Sequence, residues 1–137
     1  MKKEIRWFGV KTVYLSKATG KALNKDKFYK KATVYLEERI VLFKAKNFAA
    51  AIKMAEREAI KYSKYSHVNT YGEIVKCKYT GCCDAYHMYD PPASGLEVFS
   101  MTEVHLSLKH GKKAACDKIG LDHGKLDRPL RIRFSHR

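Results

Sequence analysis

The chain has no apolar run long enough to cross a membrane. A spanning helix needs roughly 18 or more consecutive apolar residues, and stretches such as Ile40-Val41-Leu42-Phe43 or Phe48-Ala49-Ala50-Ala51-Ile52 stop after a few. Insertion into a bilayer is therefore not expected. The opening Met1-Lys2-Lys3-Glu4-Ile5-Arg6-Trp7 is charged but lacks the apolar centre of a secretory signal, so a cytoplasmic protein is the default expectation. Several signatures of chemistry are also missing. There is no Walker loop, dinucleotide glycine fingerprint, HExxH pair or EF-hand loop, and no base-reading motif of a familiar nucleic-acid module. No internal repeat or low-complexity tract breaks the chain. Acidic residues are scarce, at 14 against 28 Lys and Arg in 137 residues, for a formal net charge of +14.

The distribution of that charge matters more than its size. The net is +8 over residues 1–31, +3 over 32–66, −3 over 67–108 and +6 over 109–137. Two basic segments thus flank a slightly acidic middle. Such a map suits a polyanion, an acidic protein or simply a solvated surface. The hydrophobic fraction of 45% is ordinary, so one globular core is expected.

The clearest local signal runs from Glu37 to Tyr65. Ile40 to Phe43 is β-branched and aromatic and reads as a strand. Asn47 is a good helix N-cap. After it Phe48, Ile52, Ala55, Ala59 and Tyr62 recur at helical spacing, while Lys53, Glu56, Arg57, Lys61 and Lys64 lie mostly on the other side. A helix packed on a sheet follows, ending near Ser66, with His67 to Tyr71 as a connection. Ile5 to Leu15 reads as a first strand, with neither alternation phase clean. Ser16 to Lys31 reads as a long hairpin loop with an exposed tip. Ala32 to Lys46 is the second strand, with a bulge expected at Glu37-Glu38-Arg39. Glu73 to Thr80 and Cys83 to Tyr89 read as two further strands around a turn or bulge at Gly81. Asp90-Pro91-Pro92-Ala93-Ser94-Gly95 is a breaker, and Leu96 to Leu108 reads as a last strand. Beyond it, Lys112 to Ile119 fits a short helix and Leu130 to Phe134 a terminal strand or a frayed basic tail. The expected class is α+β, an antiparallel sheet of about five strands in the order β-β-α-β-β-β with one principal helix on one face. Residues 1–108 form the single domain and 109–137 a basic extension.

These residues carry a resemblance. Trp7-Phe8-Gly9-Val10-Lys11, Glu37 to Leu42, Ala45 with Phe48 to Ala51, and Gly95-Leu96-Glu97-Val98-Phe99-Ser100 are similar to the motifs of an uncharacterised bacterial family of small proteins. The resemblance covers residues 5 to about 104. It implies a compact fold and, from the setting of similar proteins in mobile gene cassettes and beside defence or toxin systems, an accessory or immunity-like role. The lysine-rich loop and basic tail are additions to that pattern.

Few residues offer reaction chemistry. Cys77, Cys82, Cys83 and His87 cluster in sequence, but adjacent cysteines on a strand point to opposite faces, and the spacing is not that of a zinc knuckle. Free thiols in a reducing compartment are the simpler reading. A Cys–His pair drawn from Cys82, Cys83, His87 and His105, oriented by Asp84 or Glu103, lacks the helix or glycine-rich turn that supports a nucleophile. No catalytic residue, metal ligand or cofactor is therefore assigned. The candidate contacts to a polyanion or an acidic partner are Lys17, Lys21, Lys25, Lys27, Lys30, Lys31, Lys112, Lys113, Arg128, Arg131, Arg133 and Arg137. Phe28 and Tyr29 are candidates for base stacking, and Lys76, Lys78, Tyr79 and Tyr86 form a second aromatic-basic group. The expected function is a small non-enzymatic binding protein acting on a protein partner. The alternative is a weakly sequence-specific nucleic-acid-binding protein using loop and tail. Homo-oligomerisation stays open.

Overall fold

The computed structural model describes residues 5–30 and 34–118. Its elements are β1 (Arg6–Thr19), β2 (Val34–Ala45), α1 (Phe48–Tyr62), β3 (Ser66–Val68), β4 (Ile74–Met88) and α2 (Leu108–Lys118). The chain divides into two compact units after Ser100. The first contains one antiparallel sheet in the order β2-β1-β4-β3 with α1 on one face.

β1 is the centre of this unit because it pairs along its length on both sides. Alternate side chains Phe8, Val10, Thr12 and Tyr14 are buried, which makes this the helix face and resolves the ambiguous alternation. Opposite them α1 presents Ala51, Ala55 and Ala59, each fully buried. Alanines at this spacing let the helix axis approach the sheet closely without a cavity. The bulkier Phe48 and Tyr62 flank that stripe: Phe48 meets Phe8 edge-on at 5.0 Å and Tyr62 meets Tyr14 at 5.0 Å. Asn47 caps the helix as expected, its side-chain oxygen accepting from the Ala50 amide at 2.8 Å. The helix stops at Tyr62, where the Ser63 amide donates to Ala59.

Four expectations need correction. The expected third and fourth strands are one strand, β4, which continues through a bulge. The pairing Thr12 with Cys83 is followed by Tyr14 with Tyr79, so β4 has two more residues than β1 between these points. Gly81 supplies the positive φ the bulge requires, and the Thr80 hydroxyl donates to the Val13 carbonyl while accepting from the Cys82 amide. The bulge expected at Glu37-Glu38-Arg39 is absent, since the β1–β2 register is unbroken from Arg6 with Ala45 to Lys17 with Val34. The connection after α1 contains the short strand β3, which pairs with the start of β4. Leu96 to Leu108 is not a strand: residues 96–100 lie over the sheet face away from α1, against Gly9 and Tyr86, instead of pairing along a strand edge. Among the described residues the sheet thus has four strands.

The loop after β1 is packed rather than free. The Leu23 amide donates to the Tyr71 carbonyl, Tyr29 meets Tyr71 edge-on at 5.0 Å, and the hydroxyls of Tyr29 and Tyr71 donate to Glu73 and Asp26. In the second unit α2 begins four residues before the expected Lys112. Ser107 caps it, its hydroxyl accepting from the His110 amide. None of the α2 residues is buried. In the same unit Glu103 accepts hydrogen bonds from Lys118 and His105, and these partners, Lys118 first, hold its carboxyl below the usual range. The expected strand at 130–134, and residues 119–120 at the end of the expected helix, lie outside the described residues.

Candidate interaction surface

The sheet has a second face, away from α1. On β1 it carries Trp7, Gly9, Lys11, Val13, Leu15 and Lys17. Register places Leu42, Ile40, Glu38, Leu36 and Val34 beside them on β2, and Tyr86, Asp84, Lys78 and Lys76 on β4. The two ends of this face differ. At the Gly9 end, residues 96–100 run across the sheet as a strap. A Cβ on Gly9 would fall on the Val98 carbonyl oxygen, so only glycine lets the strap lie this close. The Tyr86 hydroxyl donates to Glu97, Phe99 packs 6.0 Å from the Tyr86 ring, and Lys11 sits 4.9 Å over Phe99. Lys11 also reaches Glu38 at 3.6 Å.

At the other end nothing in the first unit covers the face. Leu15, Val34, Leu36, Ile74 and Val68 are all exposed, Leu36 at 68%. Among them stand Lys17, Lys76 and Lys78. Lys17 lies directly opposite Lys76 across β1 and β4, and Lys78 lies opposite Leu15. Like charges directly opposite on neighbouring strands are destabilising. Among the described residues no carboxylate lies within ion-pair distance of these three lysines.

The helix face holds a denser polar set, but it is satisfied internally. Arg39 donates to both oxygens of Glu58, at 3.2 and 3.0 Å, and to the Tyr14 hydroxyl at 3.1 Å. Its guanidinium stacks 3.6 Å over the Tyr62 ring. Tyr14 shares a 2.6 Å hydrogen bond with Thr12, and Tyr62 donates to Glu37 at 2.7 Å. Burial, reinforced by the Glu37 carboxylate, pushes the Tyr62 hydroxyl up to about 12. The Tyr79 hydroxyl donates to Glu56 and is likewise pushed up, mainly by burial. Apart from Thr12, which bonds Tyr14 of its own strand, each group here has a partner from another element, which is the arrangement of a scaffold locking helix to sheet. Glu37 and Arg39, both in the expected motif, belong to it.

The two faces account for the sequence motifs, and the comparisons with known proteins agree on their extent. A family model described as a domain of unknown function, DUF4288, matches residues 7–100. The chain belongs to that family. Among curated proteins and among solved structures no match is found. The DUF4288 match ends at Ser100, where the first compact unit also ends. The motif around Gly9 and the motif Gly95 to Ser100 stand at the two sides of one contact, strap on sheet.

The residues expected to bind fall in several places. Lys17 lies on the open end of the rear face. Lys21, Lys25, Lys27 and Lys30 lie in the loop between β1 and β2, Lys25 over the Tyr29 ring and Lys27 over the Phe28 ring. Phe28 is 71% exposed, whereas Tyr29 is held by Tyr71 and Glu73. Lys112 and Lys113 are exposed on α2. Lys31, Arg128, Arg131, Arg133 and Arg137 lie outside the described residues. The second aromatic-basic group is divided: Lys76 and Lys78 share the rear face, Tyr86 sits under the strap, and Tyr79 is on the helix face. The four cysteines are free thiols. Burial, then the Glu56 carboxylate, pushes the Cys83 thiol up, which opposes thiolate formation. His87 packs against the rings of Phe8, Phe48 and Tyr89. Among the described residues no three His, Cys, Asp or Glu side chains come together as a metal site, and no helix is long and apolar enough to span a membrane. Sequence reasoning singled out Lys17 for its charge but missed that Lys76 and the exposed aliphatics share its face, because that needs the register of β1 against β4.

Proposed function

We propose that this is a small, non-enzymatic binding protein of the bacterial cytoplasm, accessory or immunity-like in role, and that it binds an acidic protein segment through the open end of its rear sheet face. The observation that carries the reading is the Lys17–Lys76 pair set among Leu15, Val34, Leu36, Ile74 and Val68. Two facing lysines cost stability in the free protein, and a partner carboxylate between them would turn that cost into attraction. The apolar neighbours are aliphatic. They offer a surface for Leu, Ile or Val of a partner but no ring on which a base could stack. A segment with carboxylates among aliphatic residues therefore fits this face better than a nucleic acid does. Site-specific photo-crosslinking from position 36 in producing cells tests it. The expected result is one captured protein whose cross-linked peptide is rich in Asp and Glu, lost when Lys17→Glu and Lys76→Glu are combined. Capture of nucleic acid, or capture indifferent to the charge reversal, would overturn the reading.

A second reading has one observation in its favour. Phe28 is exposed beside Lys27 on a loop that also carries Lys21, Lys25 and Lys30, a combination that suits stacking and phosphate contact. It stands behind the first because Tyr29, the other stacking candidate, is engaged within the fold. Anisotropy of labelled single-stranded nucleic acid with Phe28→Ala tests it. Loss of binding at physiological salt supports it, and unchanged binding removes the loop from consideration.

A further inference from the structure

The rear face is not the only part of the sheet left open. β2 is an end strand, bonded to β1 on one side and to no strand on the other among the described residues. Proteins usually blunt such an edge with proline, a bulge, a short length or charges turned inward. β2 has 12 residues, contains no proline and keeps an unbroken register throughout. Val34, Tyr35, Leu36 and Ile40 along it are exposed.

We infer that this edge pairs with the same edge of a second copy, β2 antiparallel to β2 about a two-fold axis at Glu38. This proposal shares Val34 and Leu36 with the acidic-partner reading but does not use Lys17 and Lys76, so Lys17→Glu with Lys76→Glu would abolish partner capture and leave this pairing intact. The argument is the self-complementarity of the strand. Side chains directly opposite in an antiparallel pair share a face, so the two-fold must pass through a residue, not between two. Centred on Glu38, the pairing sets Leu36 against Ile40 and Val34 against Leu42 on the rear face. On the helix face it sets Glu37 against Arg39 and Tyr35 against Val41. Within residues 34–42 every apolar residue meets an apolar one, and Glu37 faces Arg39 with opposite charge while each keeps its partner within its own copy. Neighbouring registers lose this. Centred on Arg39, the pairing sets Glu38 against Ile40 and Glu37 against Val41; centred on Glu37, it sets Glu38 against Leu36 and Arg39 against Tyr35. The one unfavourable contact is Glu38 with its own mate on the axis, and Lys11 of the same copy lies 3.6 Å from each of these carboxylates to offset it. The interface is closed and isologous, so it ends at a dimer and does not propagate. It joins the two sheets edge to edge and makes their rear faces continuous.

Light scattering of the full chain at micromolar concentration, with Glu38→Cys oxidised gently and mapped by peptide mass spectrometry, tests the proposal. The expected results are the mass of a dimer and a disulfide between residue 38 of the two copies. Residues opposite on the axis stand about 4.5–5.5 Å apart, within disulfide reach. Leu36→Cys is expected not to cross-link to itself, because four residues along a strand separate the mates by about 13 Å. A monomer would overturn the proposal, and so would a dimer that cross-links through position 36 and not 38. Leu36→Lys, placing a charge against Ile40, is expected to give a monomer with an unchanged circular dichroism spectrum. A Leu36→Lys chain that keeps its fold and remains a dimer would also overturn it.

Discussion

The two ends of the rear sheet face share β1, β2 and β4, with β3 added at the open end, and are opposite in character. At the Gly9 end the chain covers its own sheet: the side chain is deleted to admit the strap, Tyr86 and Glu97 tie it down, and Lys11 is shared between Phe99 and Glu38. At the Leu15–Lys17 end the chain leaves aliphatic side chains in solvent and sets two lysines face to face. Cover is thus not something the fold was unable to provide. Among the described residues of the first unit nothing lies over the other end, which is the surface the proposed partner would use. Monomeric proteins tolerate scattered exposed leucines, but a cross-strand group of them mixed with unpaired charge is a different matter.

The sharpest way to break the comparison is at Gly9. Gly9→Ala drives a methyl into the Val98 carbonyl, and because the obstacle is backbone it cannot swing away. The expected loss is about 2–3 kcal/mol of unfolding free energy, in the range of overpacked cores, read by urea denaturation. Fluorescence of Trp7, on the same end of the face, should report new solvent exposure. The mirror experiment, Leu15→Ala at the open end, is expected to change stability by less than about 1 kcal/mol, because that side chain is only partly covered.

The next effect concerns the helix face. Arg39→Ala leaves Glu58 and the Tyr14 hydroxyl without their shared donor and strips the stacking from Tyr62. A loss of about 2 kcal/mol is expected, between the value of an exposed ion pair and that of a buried one, again by denaturant unfolding. Alkali should act on the same network. The Tyr62 hydroxyl is raised in the folded state from the ordinary 10.0 to about 12. The folded chain therefore holds this proton more tightly than the unfolded one. The corresponding stability is fully present below pH 10 and is lost as pH rises from there toward 12. Thermal unfolding across that window should show a fall in Tm that Tyr62→Phe reduces, while tyrosinate absorbance in the folded wild type lags behind that of the unfolded chain.

The smallest effect has the opposite sign. Lys76→Gln removes half of the facing pair and is expected to stabilise the free protein by a few tenths of a kcal/mol, up to about 0.5. The gain should vanish in high salt, where the repulsion is screened. Measured by Tm at low and high ionic strength, no gain at either would mean that the two ammonium groups avoid each other by bending into solvent. The comparison between the two ends would then rest on the aliphatic residues alone.

Much of the first unit could be read from residues. Asn47 with the alanine-rich period gave the helix start, and the β-branched runs gave β1 and β2 to within a few positions. What resisted reading depends on partners distant in sequence. Leu96 to Leu108 has the alternation of a strand, yet residues 96–100 pack over the sheet face at Gly9 and Tyr86 instead of along the free edge of β2. Glu37-Glu38-Arg39 looked like an interruption because its charges break the apolar pattern. Glu37 and Arg39 are instead consumed by Tyr62, Glu58 and Tyr14, and Glu38 by Lys11. Gly81 was read as a turn or a bulge and proved to be the bulge. Gly9 was the missed clue. A glycine inside an otherwise β-branched and aromatic strand signals a close backbone approach, and that signal would have pointed to the strap. The facing of Lys17 and Lys76 had no local signature, because it follows from where the bulge shifts the register.

The strap also sets an order of events during synthesis. Gly9 is made at the start of the domain and Val98 at its end. The groove over β1 therefore stays empty while the hairpin, the helix and β4 leave the ribosome, and it is filled only by the last residues of the domain to emerge. Until Ser100 is clear of the exit tunnel, the nascent chain carries a second bare patch around Gly9 and Tyr86, open to chaperones and proteases in a way that the finished protein is not.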